Sequence, residues 1–383
     1  SPAPSPVPAT STPAPAGRAL WPLLGTREPD EDRIVFTTTI GPDWHWVLAE
    51  HRMGGQQVFP GTSYVEMITS ACREATGGEV VEVRDLIFSQ PLAVESPREL
   101  RVLGEPRDEP NWFSFSVFSR SLSTPDAPWE RHATASAGMV DPDGDVPRRA
   151  LDEIVARCQG PSWNPDLTDP QNIVVFGPHW QVIESVTRGE AEQVARLALP
   201  AGTDEDAGAF AVHPSLLDAA TALSMYAPEV AGEGQSFLPI AYDRILVREQ
   251  LPTRVTSHVR FRGRTGGISS YDVSLLDEDG REVVAIEGFS VRAVDVSGVH
   301  AALAPAEAKP SAPTLGLAQE ELLIDADEAT RLLWRMLDTR REAQYVVTIE
   351  SIPDKTRRLA GIAARVAAAL SSAQRGTFVG AAS

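Results

Sequence analysis

Lysine is almost absent from this chain of 383 residues: it occurs at Lys309 and Lys355, and every other basic residue is arginine. Positive charge is short altogether, with 34 Lys and Arg against 53 Asp and Glu and a formal net charge of −19. Such a chain has little with which to neutralise phosphates. That argues against nucleic acid as a partner and against anionic membrane surfaces. Cysteine is equally scarce. Cys72 and Cys158 stand in no CxxC or zinc spacing, so no disulfide framework is expected and a reduced cytoplasm is the natural setting. No apolar run approaches the roughly 20 residues that span a bilayer. There is no signal peptide and no initial Met, so the chain reads as a piece of a longer cytoplasmic polypeptide. Metal-ligand spacings, a GxGxxG before a helix, a Walker loop and a GxSxG elbow are also missing, so neither a metal nor a bound cofactor is expected.

What is present suits a globular protein. Hydrophobic residues make up 42% and charged residues 23%, enough for two or three domains with a large core. Two tracts, "SPAPSPVPATSTPAPA" (Ser1–Ala16) and "HAALAPAEAKPSAPTLG" (His300–Gly316), bury too little to fold and read as linkers over 1–16 and 300–318. Between them strand signals dominate: "VEVRDLIF", "NWFSFSVFSR", "WERHATASAGMV", "SFLPIAYDRILV", "RVTSHVRFRG" and "SYDVSLLDEDGREVVAIEGFSVRAV", the last with a hairpin turn at Asp277–Gly280. Two helices stand out. The first follows Pro60-Gly61 and sets Tyr64, Ile68, Ala71, Cys72 and Ala75 on one face. The second runs from His213 to Ala227, with Pro214 in the first turn. Each helix is followed by a block of strands, which is a weak internal duplication. An apolar helix wrapped by a curled antiparallel sheet is the hot-dog arrangement. The expected fold is therefore α+β, a double hot-dog with units at 17–160 and 161–299. Residues 319–383 are helix-like and read as a small appendage without an assignable role.

One stretch, "HRMGGQQVFPGTSYVE", joins an ionisable ring to a flexible turn and a helix start. His51 titrates near neutral pH. Gly54 and Gly55 permit a turn with positive φ. Pro60 and Gly61 deliver the chain to a helix N-terminus, where free N–H groups and the positive dipole end can face a developing oxyanion on a thioester. The bland alternative, a loop histidine beside a hairpin, is equally compatible with these residues alone. In the second helix, "HPSLLDAATAL" surrounds Asp218 with Leu216, Leu217, Ala219, Ala220 and Ala222. A carboxyl in apolar company has its pKa raised and can act as an acid. The competing reading puts Asp218 on the wet face of the helix.

Here the residues carry a resemblance. "HRMGGQQVFP" fits HxxxGxxxxP through His51, Gly55 and Pro60, and "HPSLLDAA" fits HPxLLDxA. "FGPHWQVIES" (Phe176–Ser185) is similar to a YGPxF element, "LPIAYDRI" (Leu238–Ile245) to LPFxW, and "WPLLG" (Trp21–Gly25) to HPLLG. Their order resembles the dehydratase domain of modular polyketide synthases, over about Trp21 to Val296. The resemblance implies that His51 removes the α-proton of a β-hydroxyacyl thioester and that Asp218 protonates the departing β-hydroxyl. It implies that the Gly61 N–H polarises the thioester carbonyl, with Pro60, Gly55, Phe176, Pro178 and Ala222 shaping the substrate site. It also implies a substrate presented on the phosphopantetheine arm of an acyl carrier protein, with neighbouring synthase domains as partners and homodimer formation left open. Three positions depart from the family pattern: Phe176 replaces Tyr, Ala222 replaces the usual Gln or His four residues after the aspartate, and Trp21 replaces the opening His.

The remaining histidines read as structural. His179 fits a packed or surface position better than the pocket, His213 fixes a helix start, His45 sits on a strand edge, and His132 lies within a strand. Glu66 is expected to hydrogen-bond within the fold. Three functions compete: a dehydratase, a dehydratase that also closes an oxygen ring by oxa-Michael addition, and a degenerate spacer domain. The intact His51 and Asp218 count against the spacer. Carrier proteins are generally acidic, as is this chain, so tethering in one polypeptide rather than long-range steering is expected to bring them together.

Overall fold

The computed structural model describes residues 21–124, 126–141, 146–169, 174–203, 207–226, 236–265 and 267–294. The linkers expected at 1–16 and 300–318 and the appendage at 319–383 lie outside the described residues. The chain divides into two units, Ser1–Ala306 and Glu307–Ser383, and the architecture below belongs to the first.

In its N-terminal half, β1 (Thr26–Arg27) and β2 (Ile34–Ile40) lead to a one-turn helix, α1 (Trp46–Ala49), and to the short strands β3 (His51–Met53) and β4 (Gln56–Gln57). The long helix α2 (Gly61–Thr76) follows. Four strands come after it: β5 (Val81–Phe88), β6 (Arg98–Pro106), β7 (Trp112–Ser121) and β8 (Glu130–Met139). Beyond α3 (Leu151–Arg157) the plan repeats. β9 (Val174–Phe176), β10 (Ile183–Arg188) and β11 (Glu192–Ala198) precede α4 (Pro214–Ala222). β12 (Ser236–Val247), β13 (Arg254–Thr265), β14 (Ile268–Leu276) and β15 (Glu282–Val294) follow it.

Twelve strands form one antiparallel sheet in the order β1-β2-β6-β7-β8-β5-β12-β15-β14-β13-β11-β10. The internal duplication is visible in that order. In each half the last strand of this sheet before the main helix, β2 or β11, pairs with the second strand after it, and the third, fourth and first strands follow in turn. The halves meet where the two first strands pair, β5 against β12, from Val81↔Val247 to Ile87↔Ala241. Arg244 straddles this seam, donating to Glu82 on β5 at 2.9 Å and to Glu287 on β15 at 2.8 Å. Pro239, which has no N–H to give, sits at a bulge in β12, beyond the stretch that β5 covers.

Strand alternation decides which side chains enter the core. On β7, Phe115, Val117 and Ser119 are buried, while Ser114, Ser116 and Phe118 are only partly covered. Trp112 points to the other face and is buried there because the Arg84 guanidinium lies 3.8 Å from its ring centre. α2 differs from the expected one-faced helix: every residue from Thr62 to Cys72 is buried. Strands β2, β5, β6 and β8 pack around it, and α4 packs against it. Ser63, Glu66, Thr69 and Ser70 are enclosed along with the apolar residues.

Several expectations change. His45 is not on a strand edge; it caps α1, its Nδ1 accepting the Val47 N–H at 3.2 Å. The second helix is shorter: α4 ends at Ala222 and a 3-10 turn covers Leu223–Tyr226, while Ala227 lies outside the described residues. Residues 147–158, drawn into the N-terminal unit from sequence, pack on the C-terminal half. The Glu282 N–H donates to Pro147 O at 2.8 Å, and Ile154 and Cys158 find apolar cover against Val194 and Leu276. Strands β1 to β4, β6 and β9 to β11 add to those read from the sequence.

Candidate active site

A three-stranded sheet separate from the large one positions His51. β3 lies between β4 and β9, and His51 is paired with Phe176 across the two halves. The β3–β4 turn needs positive φ at Gly54 (57°) and Gly55 (84°), as a two-residue hairpin turn of this hand does. His51 is then fixed twice to one residue: its backbone O accepts the Val58 N–H at 3.1 Å, and its Nδ1 meets Val58 O at 2.7 Å. A carbonyl oxygen only accepts, so Nδ1 carries the proton and Nε2 holds the free lone pair. The residue is 6% exposed. It lies edge-on to Phe176 at 5.3 Å between ring centres and 5.4 Å from Trp180. Burial pushes its pKa down to about 4, so it is a neutral imidazole at physiological pH.

Asp218 lies on α4, where every residue but Asp218 and Ala222 is buried. Burial pushes its carboxyl up to about 7, opposed by a hydrogen bond from Thr62. That bond, Thr62 Oγ1 to Asp218 Oδ1, is long at 3.4 Å. His51 and Asp218 are therefore tied to the same short stretch, His51 to Val58 and Asp218 to Thr62. Four residues span at most about 14 Å even when fully extended, and this stretch includes the start of α2.

Pro60 is buried and forms the N-cap of α2, with Gly61 as its first residue. The first N–H groups of a helix have no partner within it and lie at the positive end of its dipole. Gly61 is glycine for a steric reason: a Cβ there would lie 2.8 Å from Phe88 Cζ. The other expected substrate-site residues divide. Phe176 is partly buried against His51, and Ala222 is partly exposed one helical turn beyond Asp218. Gly55 and Pro178 are exposed, the one in the β3–β4 turn and the other opening a 3-10 turn, Pro178–Trp180. Gly55 takes the positive φ that its turn needs, and Pro178 stands where a missing N–H does no harm to the 3-10 turn.

Some residues of the site escaped the sequence reading. Trp180, at the last position of the element similar to YGPxF, is 2% exposed, and its indole N–H has no hydrogen-bond partner among the described residues. Tyr242 stands where LPFxW has its Trp. It stacks on Phe289 at 4.7 Å and faces Phe88 at 6.0 Å. Burial raises the pKa of its hydroxyl and the Asp218 charge raises it further, against a hydrogen bond with Thr221. Glu50 clamps the loop after β9: its carboxylate accepts the His179 N–H at 2.8 Å and meets His179 Nδ1 at 2.7 Å, while its backbone O accepts the Gly177 N–H at 2.8 Å. The His179 ring stacks on Trp46 at 4.7 Å, so it is a packed residue. His213 Nδ1 lies 3.0 Å from Ser215 Oγ at the start of α4. His132 is buried in β8, beside Ser119 Oγ at 2.8 Å.

Comparison with known proteins assigns the class. Residues 21–120 match the family described as polyketide synthase dehydratase domain, and residues 153–300 match the polyketide synthase dehydratase N-terminal domain. The chain belongs to the polyketide synthase dehydratase family, and its fold is the double hot-dog. Among curated relatives, polyketide synthase PksM of Bacillus subtilis (strain 168) is 30% identical over 301 residues, covering 72% of this chain and 7% of PksM. The chain thus spans less than a tenth of that relative's length. Among solved structures, the dehydratase domain from the CurF module of curacin polyketide synthase aligns with a TM-score of 0.66 at 23% identity, over 72% of this chain and 100% of that domain. The CurK dehydratase aligns as two inactive mutants, a His-to-Phe form at a TM-score of 0.64 and 21% identity and an Asp-to-Asn form at 0.62 and 22%. Each covers 99% of that chain, and 72% and 71% of this one.

Proposed function

We propose that this chain removes water from a β-hydroxyacyl chain held as a thioester on the phosphopantetheine arm of an acyl carrier protein, giving an α,β-unsaturated thioester within a polyketide synthase. His51 Nε2 takes the α-proton. The Gly61 N–H and the α2 dipole stabilise the enolate oxygen that develops on the thioester carbonyl. Asp218 gives its proton to the β-hydroxyl, which leaves as water as the double bond forms between Cα and Cβ. The electrons balance without an oxidant, so the step as written calls on no cofactor. Neighbouring synthase domains and the carrier protein are the partners, and the setting is cytoplasmic, in keeping with the buried free thiols Cys72 and Cys158.

The observation that carries the reading is the split of two pKa values: a base held neutral and an acid able to keep its proton, both tied to one helix start. Loss of activity in CurK forms lacking a histidine or an aspartate supports it by analogy. A second reading adds ring closure, in which a hydroxyl further along the chain attacks Cβ of the enoyl product. Its support is the small or apolar character of Phe176 beside the base and Ala222 beyond the acid. The test is mass spectrometry of a carrier-bound β-hydroxyacyl substrate bearing a distal hydroxyl. Water loss that disappears in His51→Ala is the expected result, and undiminished water loss in that variant would remove His51 from the mechanism. If ring closure occurs, Phe176→Tyr with Ala222→Gln should suppress the cyclic product and spare the linear one, because added bulk opposes a folded chain. A wild type that yields no cyclic product ends the second reading.

A further inference from the structure

Position 222 lies one turn after Asp218 on the same face of α4 and is alanine. The helix that carries the acid therefore offers no side chain there to orient its carboxyl. The orientation comes from the other half of the molecule. Thr62 is 2% exposed and, among the described residues, is the one side chain that hydrogen-bonds the Asp218 carboxyl, at 3.4 Å. It is the second residue of α2, so its placement depends on how α2 sits against α4.

That contact is itself pinned four residues further on. Glu66 lies on the same face of α2 as Thr62 and is 1% exposed. Its carboxylate accepts the backbone N–H groups of Val212 at 2.6 Å and Ala211 at 3.2 Å, and the Ser70 hydroxyl at 2.6 Å. Val212 and Ala211 immediately precede His213 and the start of α4. Thr62, Glu66 and Ser70 thus form a polar stripe inside the core, at a spacing of four, with two of its members bonded to the segment that bears the acid. Enclosing a carboxyl in such a place is costly unless its oxygens are satisfied, and here both oxygens hold the two halves in one relative register.

We propose that Thr62, kept in register by Glu66, is the positioning residue for Asp218, supplying across the interface between the halves the orienting hydrogen bond that Ala222 cannot. The inference rests on Asp218 being the acid of the proposed reaction. Its test is steady-state kinetics of the whole chain on a carrier-bound β-hydroxyacyl thioester. Thr62→Val should lower kcat about tenfold, the effect of one hydrogen bond, and leave KM within about twofold. Thr62→Ser, which keeps the hydroxyl, should retain most of the rate. Adding Ala222→Gln to Thr62→Val should recover it, because the amide then reaches Asp218 from its own helix. Thr62→Ala removes the hydroxyl with less bulk and must show the same loss. Full kcat in Thr62→Val or Thr62→Ala, alongside an inactive Asp218→Asn, overturns the inference and leaves the proposed function standing. An equal loss in Thr62→Ser also overturns it, because packing rather than the hydroxyl would then be responsible. Full activity in Asp218→Asn defeats the parent reading instead.

Discussion

Asp218→Asn should make the protein slower and, above neutral pH, more stable. Burial holds the Asp218 carboxyl up to about 7, against 3.8 for an ordinary aspartate. Between those values the folded chain keeps a proton that the unfolded chain releases. Stability contributed by this group is therefore present at low pH and is lost as pH rises through about 7. Each pKa unit corresponds to about 1.36 kcal/mol, so a fully enclosed carboxyl would cost the native state about 4 kcal/mol over the interval. Asp218 is partly open to solvent, which screens some of this and leaves about 2–4 kcal/mol. Asparagine does not titrate. The difference in unfolding free energy between variant and wild type should then grow by that amount from pH 4 to pH 8. Glu66 is also pushed up to about 7 by burial, but it is present in both proteins and drops out of the comparison. Urea unfolding followed by tryptophan fluorescence at the two pH values measures the gap. Over the same series turnover should fall by roughly 10² or more, the typical contribution of one acid group. A stability gap that stays constant with pH would refute the claim that Asp218 is a buried, protonatable acid.

Two further outcomes follow from the site. The pH profile of kcat should rise through about 4, where His51 loses its proton, and fall through about 7, where Asp218 loses its own; undiminished turnover at pH 9 would contradict the role given to Asp218. Gly61→Ala should cost about 1–3 kcal/mol of stability through overpacking and slow the reaction, since its Cβ would press on the Phe88 ring at 2.8 Å. Phe88→Leu in the same chain should relieve the strain, and a Gly61→Ala protein that melts with the wild type would show that the crowding is unimportant.

Local features of this protein were legible in its sequence wherever a short-range signal was strong. β5 and β12 coincide with "VEVRDLIF" and "SFLPIAYDRILV" residue for residue, because alternation and β-branched residues act over a few positions. The Gly54-Gly55 turn and the helix start at Gly61 were readable for the same reason. β6, "RELRVLGEP", was not, because its charged residues blur the apolar pattern. What the sequence could not reveal is long-range. Thr62 meets Asp218 from 156 residues away and Glu66 meets Val212 from 146, and no local preference encodes either pair. The same limit explains Gly55 and Pro178. The motifs that contain them point to a site, but only the folded chain separates residues in exposed turns from residues that stand near His51 and Asp218.

The repeated plan of the sheet has a consequence for stoichiometry. Two halves with the same strand order, joined along β5 and β12, each carry one main helix, α2 of 16 residues and α4 of 9. Asp218 is the fifth residue of α4, and the fifth residue of α2 is Val65, fully buried. The two helices differ at this position: α4 has an ionisable group there and α2 a core valine. A valine side chain enclosed there stabilises the fold by about 1.5–3 kcal/mol, where a second enclosed carboxylate would weaken it at neutral pH. The two halves are in this sense not interchangeable: one carries His51 and Thr62, the other Asp218, and the proposed reaction calls on both for one acyl chain.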